Sequence, residues 1–453
     1  MNTPRKLRFL ALWNLISGLF PMAAGATPAT FELSLKSAET RSIDTSDQIK
    51  SLDSSSQAAI ETAKASNISL YPTLSFKADY FYLTNIPTLV LPVQGHPGFP
   101  MGTHDNYGFG PALTYTLWDS GANWNTYKSA NLQAVARDED KKAATLNLLM
   151  LTRASYVRLQ LASEELRLLY SSLELARAQF HDIKANFRAG AASKLDQVDA
   201  ERDVINYGLQ FEQKQAEVTA DLKDLLALIR EPAPQDVSKP GPAGVPEISL
   251  LLKLDSQDAL LNDSRFLQYS PPDEKQPMLR SLEIQAESLD HSAESEKGKY
   301  FPKVDLSATA MWQYPYELLP TTEEQNTFMV SVTIPLSEGL RVNHQVAEKR
   351  REAEAIRFNK SQSKVNMDRD YEKAVALITS LRAQQKMSLE DVALSESAAK
   401  LYYQSYRAGK INLIDVQSAN NRALNAKVNA ARTNAQVLNQ LFTLNLISGE
   451  RLK

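Results

Sequence analysis

Phe187-Arg188-Ala189-Gly190, with Asp196 six residues beyond the glycine, and Tyr406-Arg407-Ala408-Gly409, with Asp415 at the same spacing, are one motif written twice. Each copy closes a helical stretch of about 65 residues and opens a second, shorter helix. Each long stretch is preceded by a pair of alternating strands, 71–83 with 107–118 and then 301–313 with 327–336. Strand, strand, long helix, glycine turn, helix is therefore a single architecture duplicated along the chain.

The strands alternate cleanly. Phe328, Val330, Val332, Ile334 and Leu336 share one face against Thr327, Ser331 and Thr333. Leu74, Phe76, Ala78, Tyr80 and Tyr82 oppose Thr73, Ser75, Lys77 and Asp79. Each strand has about the length needed to cross a bilayer at a tilt. Aromatic residues gather near the strand ends, and Tyr80, Tyr82, Tyr107, Trp118, Trp312 and Tyr314 are candidates for an interfacial girdle. A soluble β-sandwich face also alternates, which is the competing reading. Four strands cannot close a barrel, because the smallest closed barrels need about eight. An open edge in lipid leaves backbone groups unpaired, so other copies of the chain must complete the barrel. Three copies would supply twelve strands.

Between the strands and the turns the texture is helical. Leu148, Leu151, Ser155, Leu159, Ala162, Leu166, Leu169, Leu173, Ala176, Phe180, Ile183 and Phe187 recur in alternating steps of three and four, a heptad seam that demands a partner helix. The helix over 122–187 would be roughly 95 Å long. Its counterpart over 341–406 has a weaker, more polar seam through Ile378, Leu381, Gln385, Ser388, Val392, Ser395, Ala399, Tyr402 and Tyr406. Returning helices over 194–230 and 412–446 are too short to pair along that whole length. Helices over 46–70 and 276–300 make up the difference. Residues 232–275 hold Pro232, Pro234, Pro240, Gly241, Pro242, Gly244 and Pro246, a breaker-rich linker read as an equatorial collar. The expected division is a signal peptide at 1–26, a first repeat over 27–231, the linker over 232–275, and a second repeat over 276–453.

The signal-peptide expectation rests on Arg5, Lys6 and Arg8, the largely apolar run from 9 to 20, and Ala24-Gly25-Ala26 as a cleavage site. The chain has no cysteine, hence neither disulfides nor thiolate metal sites. A net charge of −3 with no basic block gives no support for nucleic-acid binding. His96, Met101 and His104 lie in a proline- and glycine-rich loop, and that composition explains them better than a metal site does. His181, His291 and His344 have no second ligand at helical spacing. No nucleophile motif, phosphate loop or paired catalytic carboxylate is found. An enzyme, a metal or another cofactor is not expected.

The turns carry what chemistry there is. Gly190 and Gly409 fit the left-handed position just past a helix end. Asp196 and Asp415 fall in the first turn of the returning helices, where an acidic side chain caps or favours the dipole. In a closed oligomer the same carboxylates would form rings that favour cations.

The whole of the chain after residue 26 resembles the TolC-type outer-membrane efflux proteins. The two turn motifs carry the likeness, supported by Tyr71-Pro72 and Phe301-Pro302 before the strands. Leu117-Trp118-Asp119-Ser120-Gly121 and Leu336-Ser337-Glu338-Gly339 after them add to it. The resemblance implies an α+β membrane protein, a homotrimer with four strands per chain. Its twelve-stranded β-barrel would lie in outer-membrane lipid and continue into a long α-helical coiled-coil tunnel in the periplasm. It further implies a passive conduit for type I protein secretion or multidrug and small-molecule efflux. A periplasmic adaptor (membrane fusion protein) and an inner-membrane ABC or RND transporter would open it at its tip. By the same likeness Phe187, Arg188, Ala189, Gly190, Arg407, Ala408 and Gly409 match the adaptor-docking turns, and Asp196, Tyr406 and Asp415 match the aperture. Ser418 stands where some members have a second aspartate, and Ile411 where a basic residue is found. The runner-up is a periplasmic coiled-coil scaffold with a β head.

Overall fold

A computed structural model describes residues 31–89, 98–232, 252–317, 319–337 and 339–449. The expected signal peptide, His96, Glu338 and the prolines from 234 to 246 lie outside the described residues. In order, the elements are β1 (Phe31–Leu33), α1 (Leu35–Thr45), α2 (Asp47–Ile68), β2 (Thr73–Tyr82), β3 (Thr88–Leu89), β4 (Phe99–Pro100) and β5 (Asp105–Trp118). There follow α3 (Ala122–Arg188), α4 (Lys194–Ile229), β6 (Leu252–Leu254), α5 (Gln257–Leu261), α6 (Ser264–Leu267) and α7 (Pro277–Gly298). The chain continues through β7 (Lys303–Tyr314), β8 (Glu323–Thr333), α8 (Gly339–Arg407) and α9 (Leu413–Ile447).

Four strands form one antiparallel sheet in the order β2-β5-β7-β8, leaving β2 and β8 as open edges. Register places Leu74, Leu113, Ala308 and Phe328 in one row, and Tyr80, Tyr107 and Tyr314 in another. The opposite face has a row of Ser75, Ala112, Thr309 and Thr327. The apolar face is the exposed one: Phe76 is 70% and Phe328 78% exposed, while Asn106, Gly108, Gly110 and Ala112 are buried. A water-soluble sandwich would reverse this arrangement, since it must bury its apolar face. β8 begins four residues earlier than the sequence pattern predicts because Glu323, Glu324, Gln325 and Asn326 continue the ladder. They do so without apolar alternation.

The strands pass into helices through tight joints. After β5, Ser120 and Gly121 adopt left-handed conformations with φ of 55° and 80°. The Asp119 carboxylate accepts from the Gly121 and Asn123 backbone N–H groups at 3.0 and 2.8 Å, capping α3. Along its upper half α3 packs against α2 and α7, and along its lower half against α4. α7 also packs on α8, and α9 runs beside α8 and touches α3. The α3–α7 contact is close because small residues face each other: Ser129 and Ser288 hydroxyls lie 3.0 Å apart, and a Cβ on Gly298 would come within 2.9 Å of that of Ala122. The α7–α8 contact is ionic instead, with Arg350 to Glu294 at 3.1 Å, Lys360 to Glu283 at 2.8 Å, and Arg357 to Asp290.

The deepest core lies halfway along the helices. β1 and β6 pair in parallel there. The Tyr156 hydroxyl donates to the Leu33 carbonyl at 2.8 Å, and the Leu35 N–H to Asp255 at 2.7 Å. Arg153 is buried against Phe266 and Phe442 and donates to Glu39 at 2.6 Å. The described part of the collar is thus anchored to α3 and α9, not loosely wrapped.

The heptad seam of α3 holds from Ser155 to Ile183, all but Phe180 buried and Phe180 half-buried. Leu151 departs from it at 60% exposed, and Thr152 is buried in its place. Leu148, on the other side of it, is buried, so the departure is confined to this one position. On α8 only Val342, Ala353, Ala374, Ile378 and Leu381 are buried.

Candidate functional site

The two repeated motifs are the turns at the free end of the helical body. In the first, the Gly190 N–H donates to the Phe187 carbonyl at 3.0 Å and the Ala191 N–H to Asn186 at 2.8 Å. In the second, Gly409 donates to Tyr406 at 2.8 Å and Lys410 to Ser405 at 3.0 Å. Both are Schellman closures, and both glycines are left-handed, with φ of 76° and 71°. The backbone of each turn satisfies itself. Phe187, Arg188, Ala189 and Gly190 are consequently exposed, as are Arg407, Ala408 and Gly409.

The two aspartates are not equivalent. Asp196 is held in a capping box: Ser193 donates to its carboxylate from N–H at 3.0 Å and from Oγ at 2.8 Å. The Asp196 N–H donates back to Ser193 Oγ at 3.0 Å. Asp415 has no such partner across its turn, because the N-cap Asn412 makes no side-chain capping bond. Its backbone N–H donates to the Asn412 carbonyl at 3.2 Å, and among the described residues its carboxylate has no hydrogen-bond or ion-pair partner. Its side chain is exposed, and Ser418 is exposed one turn further on.

Behind the turns a small apolar cluster joins the two hairpins. Ile183, Ala200, Leu413 and Val416 are buried in it, with Phe180, Ala192, Tyr403, Tyr406 and Ile411 packed around them. Ile411 therefore fills apolar space where a basic side chain would project. Tyr406 is half-buried here, and burial together with the nearby Asp196 charge raises its phenol above the ordinary range.

Polar bridges the sequence did not reveal run across the same junction. The Tyr403 hydroxyl donates to Asp182 at 2.9 Å, and burial plus that bond pushes its pKa up to about 12. Asn420 donates to Gln179 at 3.1 Å and Tyr207 to Asn421 at 2.9 Å. Higher up, the buried Glu165 carboxylate takes Lys214 at 2.6 Å from α4 and Arg432 at 2.7 Å from α9. Burial alone would raise that carboxyl, but the two cations outweigh it and hold it below the ordinary range. Partners 221 positions apart leave no local pattern to read. The only signal is the density of phenols in Tyr402, Tyr403 and Tyr406.

At the far end of the molecule, Tyr80, Tyr107 and Tyr314 share one row, and the Tyr107 and Tyr314 rings stack at 5.0 Å. Trp312 lies one step along, stacked on Phe109 at 5.9 Å. Tyr82 is one step the other way, against His104 at 5.5 Å, and the imidazole Nδ1 of His104 is 2.7 Å from the Leu83 carbonyl. Trp118 stands apart, at the helix-proximal end of β5. Among the described residues no group of three or more potential metal ligands is found, and no helix is long and apolar enough to cross a membrane.

A sheet with its apolar face outward, set on long helices that end in two self-capped turns, is the subunit of a channel. The sequence matches the family model of the outer membrane efflux proteins over residues 41–229 and 273–450, and the chain belongs to that family. It is an outer-membrane efflux channel protein with a periplasmic helical tunnel. Its fold is similar to that of CusC, which forms a transmembrane channel: TM-score 0.74 and 15% identity, covering 96% of each chain. The CmeC outer-membrane channel of Campylobacter jejuni gives 0.73 and 15%, over 92% of this chain and 85% of that one. The outer-membrane protein VceC of Vibrio cholerae gives 0.72 and 14%, over 92% and 96%. Comparison with curated proteins gives no match.

Proposed function

We propose that three copies of this chain assemble into a twelve-stranded barrel and a continuous helical tunnel. The assembly would act as the passive outer-membrane duct of a tripartite system for small molecules or secreted polypeptide. The observation that carries this reading is the four-stranded sheet, which exposes its apolar face and leaves two edges unpaired. In lipid both features are stable only if the sheet closes on further copies. Tyr80, Tyr82, Tyr107, Trp312 and Tyr314 would then form the outer girdle, and Trp118 the inner one.

The exposed turns, Phe187 to Gly190 and Arg407 to Gly409, are the docking surface for a periplasmic adaptor that couples the duct to an inner-membrane ABC or RND transporter. Asp415 and Ser418 line the aperture, and Asp196 and Tyr406 stand behind it. The free carboxylate of Asp415 suits a ring that collects cations. Purified protein in planar bilayers tests this. Heat-resistant trimers from outer-membrane fractions and a cation-blocked conductance that weakens in Asp415→Asn are the expected results. Recovery as a soluble periplasmic species would sink the proposal.

A further inference from the structure

The exposed apolar surface does not end where the strands end. Beyond Trp118 the chain caps α3 through Asp119 and then presents Trp124, which is 49% exposed. The Tyr127 ring is 5.6 Å from that of Trp124, and the Lys128 ammonium lies 5.4 Å from its centroid. Among the described residues Lys128 has no carboxylate partner, unlike the neighbouring Lys297, Lys299 and Lys303, which pair with Glu294, Glu296 and Asp305. Phe301, Leu336 and Leu340 are also exposed at the other strand–helix joints.

Geometry sets the depth of this patch. From Tyr107 to Trp118 the strand covers about 36 Å, or about 27 Å along the membrane normal at the usual tilt. That matches an apolar band about 25 Å tall, so Trp118 marks the boundary of the hydrocarbon. The headgroup layer beyond it is about 5 to 8 Å thick. Trp124 is about 3 Å, and Lys128 about 9 Å, below the start of α3. A ring at that depth and a cation that can reach back to it suit an interface of water, phosphate and ester groups. A second copy of the chain is the rival occupant, but copies join at β2 and β8, whereas α3 follows the inner strand β5.

We infer that the first turn of α3 sits in the headgroup layer of the periplasmic leaflet, with Trp124 between headgroups and Lys128 reaching back from below to pair with an anionic phospholipid phosphate. This rests on the reading that the sheet faces outer-membrane lipid. The chain has no cysteine, so single cysteines at Leu117, Trp124 and Val135 can each carry a unique spin label. Val135 is exposed on the same helix face three turns lower. The trimer would be reconstituted in phosphatidylethanolamine vesicles with and without phosphatidylglycerol, and collisions with oxygen and a nickel chelate measured. At 117 the label is expected to meet oxygen and exclude nickel. At 124 nickel collisions are expected to fall several-fold below those at 135. Adding Lys128→Glu is expected to raise them only when phosphatidylglycerol is present. Equal nickel access at 124 and 135, or exclusion of both reagents at 124 as under protein cover, overturns the inference. Water-like access at 117 as well overturns the membrane reading beneath it.

Discussion

α3 and α8 occupy equivalent places in the two halves of the chain, yet they differ in almost every packing respect. α3 buries a continuous seam and is flanked by α2, α4, α7 and α9. α8 buries five residues over its length, with Leu394 71% and Leu401 62% exposed. One helix is the spine of the protomer, and the other is its flank. The difference teaches that two copies of one shape need not share burial equally: the first copy holds the core, and in the proposed trimer the exposed second copy would face another subunit.

Substitutions can sharpen that contrast. The largest effect is expected from Leu166→Ala, which empties a fully buried site on α3. Unfolding in denaturant should show a loss of about 3 to 5 kcal/mol. Leu394→Ala should change protomer stability by less than about 0.5 kcal/mol while lowering the temperature at which trimers dissociate on gels. A loss at Leu394 in detergent monomers as large as that at Leu166 would break the comparison.

Next comes the ionic link between hairpins. Lys214→Met leaves the buried Glu165 with Arg432 alone and is expected to cost about 2 to 3 kcal/mol. The pH dependence follows in sign. The folded carboxyl titrates below its ordinary value of 4.5, so its stabilisation is full above that pH and is lost as pH falls through the lower folded value. Unfolding midpoints from pH 7 down to pH 3 should drop less steeply in Glu165→Gln.

Smaller again are the turns and the tip. Gly409→Ala forces a side chain into a left-handed position and is expected to cost about 1 kcal/mol, seen as a lower melting temperature. Tyr403→Phe removes the bond to Asp182 at a similar cost of about 1 kcal/mol and should raise the spontaneous open probability in bilayers. That bond is present below pH 10 and is lost as pH rises toward the folded value of about 12. Smallest is Arg357→Gln on the α7–α8 ladder, worth about 0.2 to 1 kcal/mol and vanishing in high salt, as thermal unfolding at two ionic strengths would record.

Much of this is legible in the sequence. The spacing of Gly190 and Asp196, and of Gly409 and Asp415, located both turns, and the seam from Ser155 to Ile183 identified the spine. Alternation found the four strands, though not the polar start of β8. Local pattern could not show what depends on three-dimensional closure. Tyr403 with Asp182, Glu165 with its two cations and Arg153 with Phe266 and Phe442 are all joined across long stretches of chain. Ile411 read as a missing charge, and only its neighbours Ile183 and Leu413 reveal it as packing. Leu151 departs from the seam because the neighbouring Thr152 takes the buried place, which a count of apolar residues does not anticipate.

The unlike margins of the sheet have a genetic consequence. β2 begins at Thr73 and alternates as far as Tyr80, whereas β8 opens on Glu323 and Glu324, so in the proposed trimer the joint between subunits is head to tail. A head-to-tail contact closes only as a complete ring. One subunit with a spoiled β8 edge is then enough to ruin every ring it enters. A defective allele of that kind is expected to be dominant over the intact gene when both are expressed together.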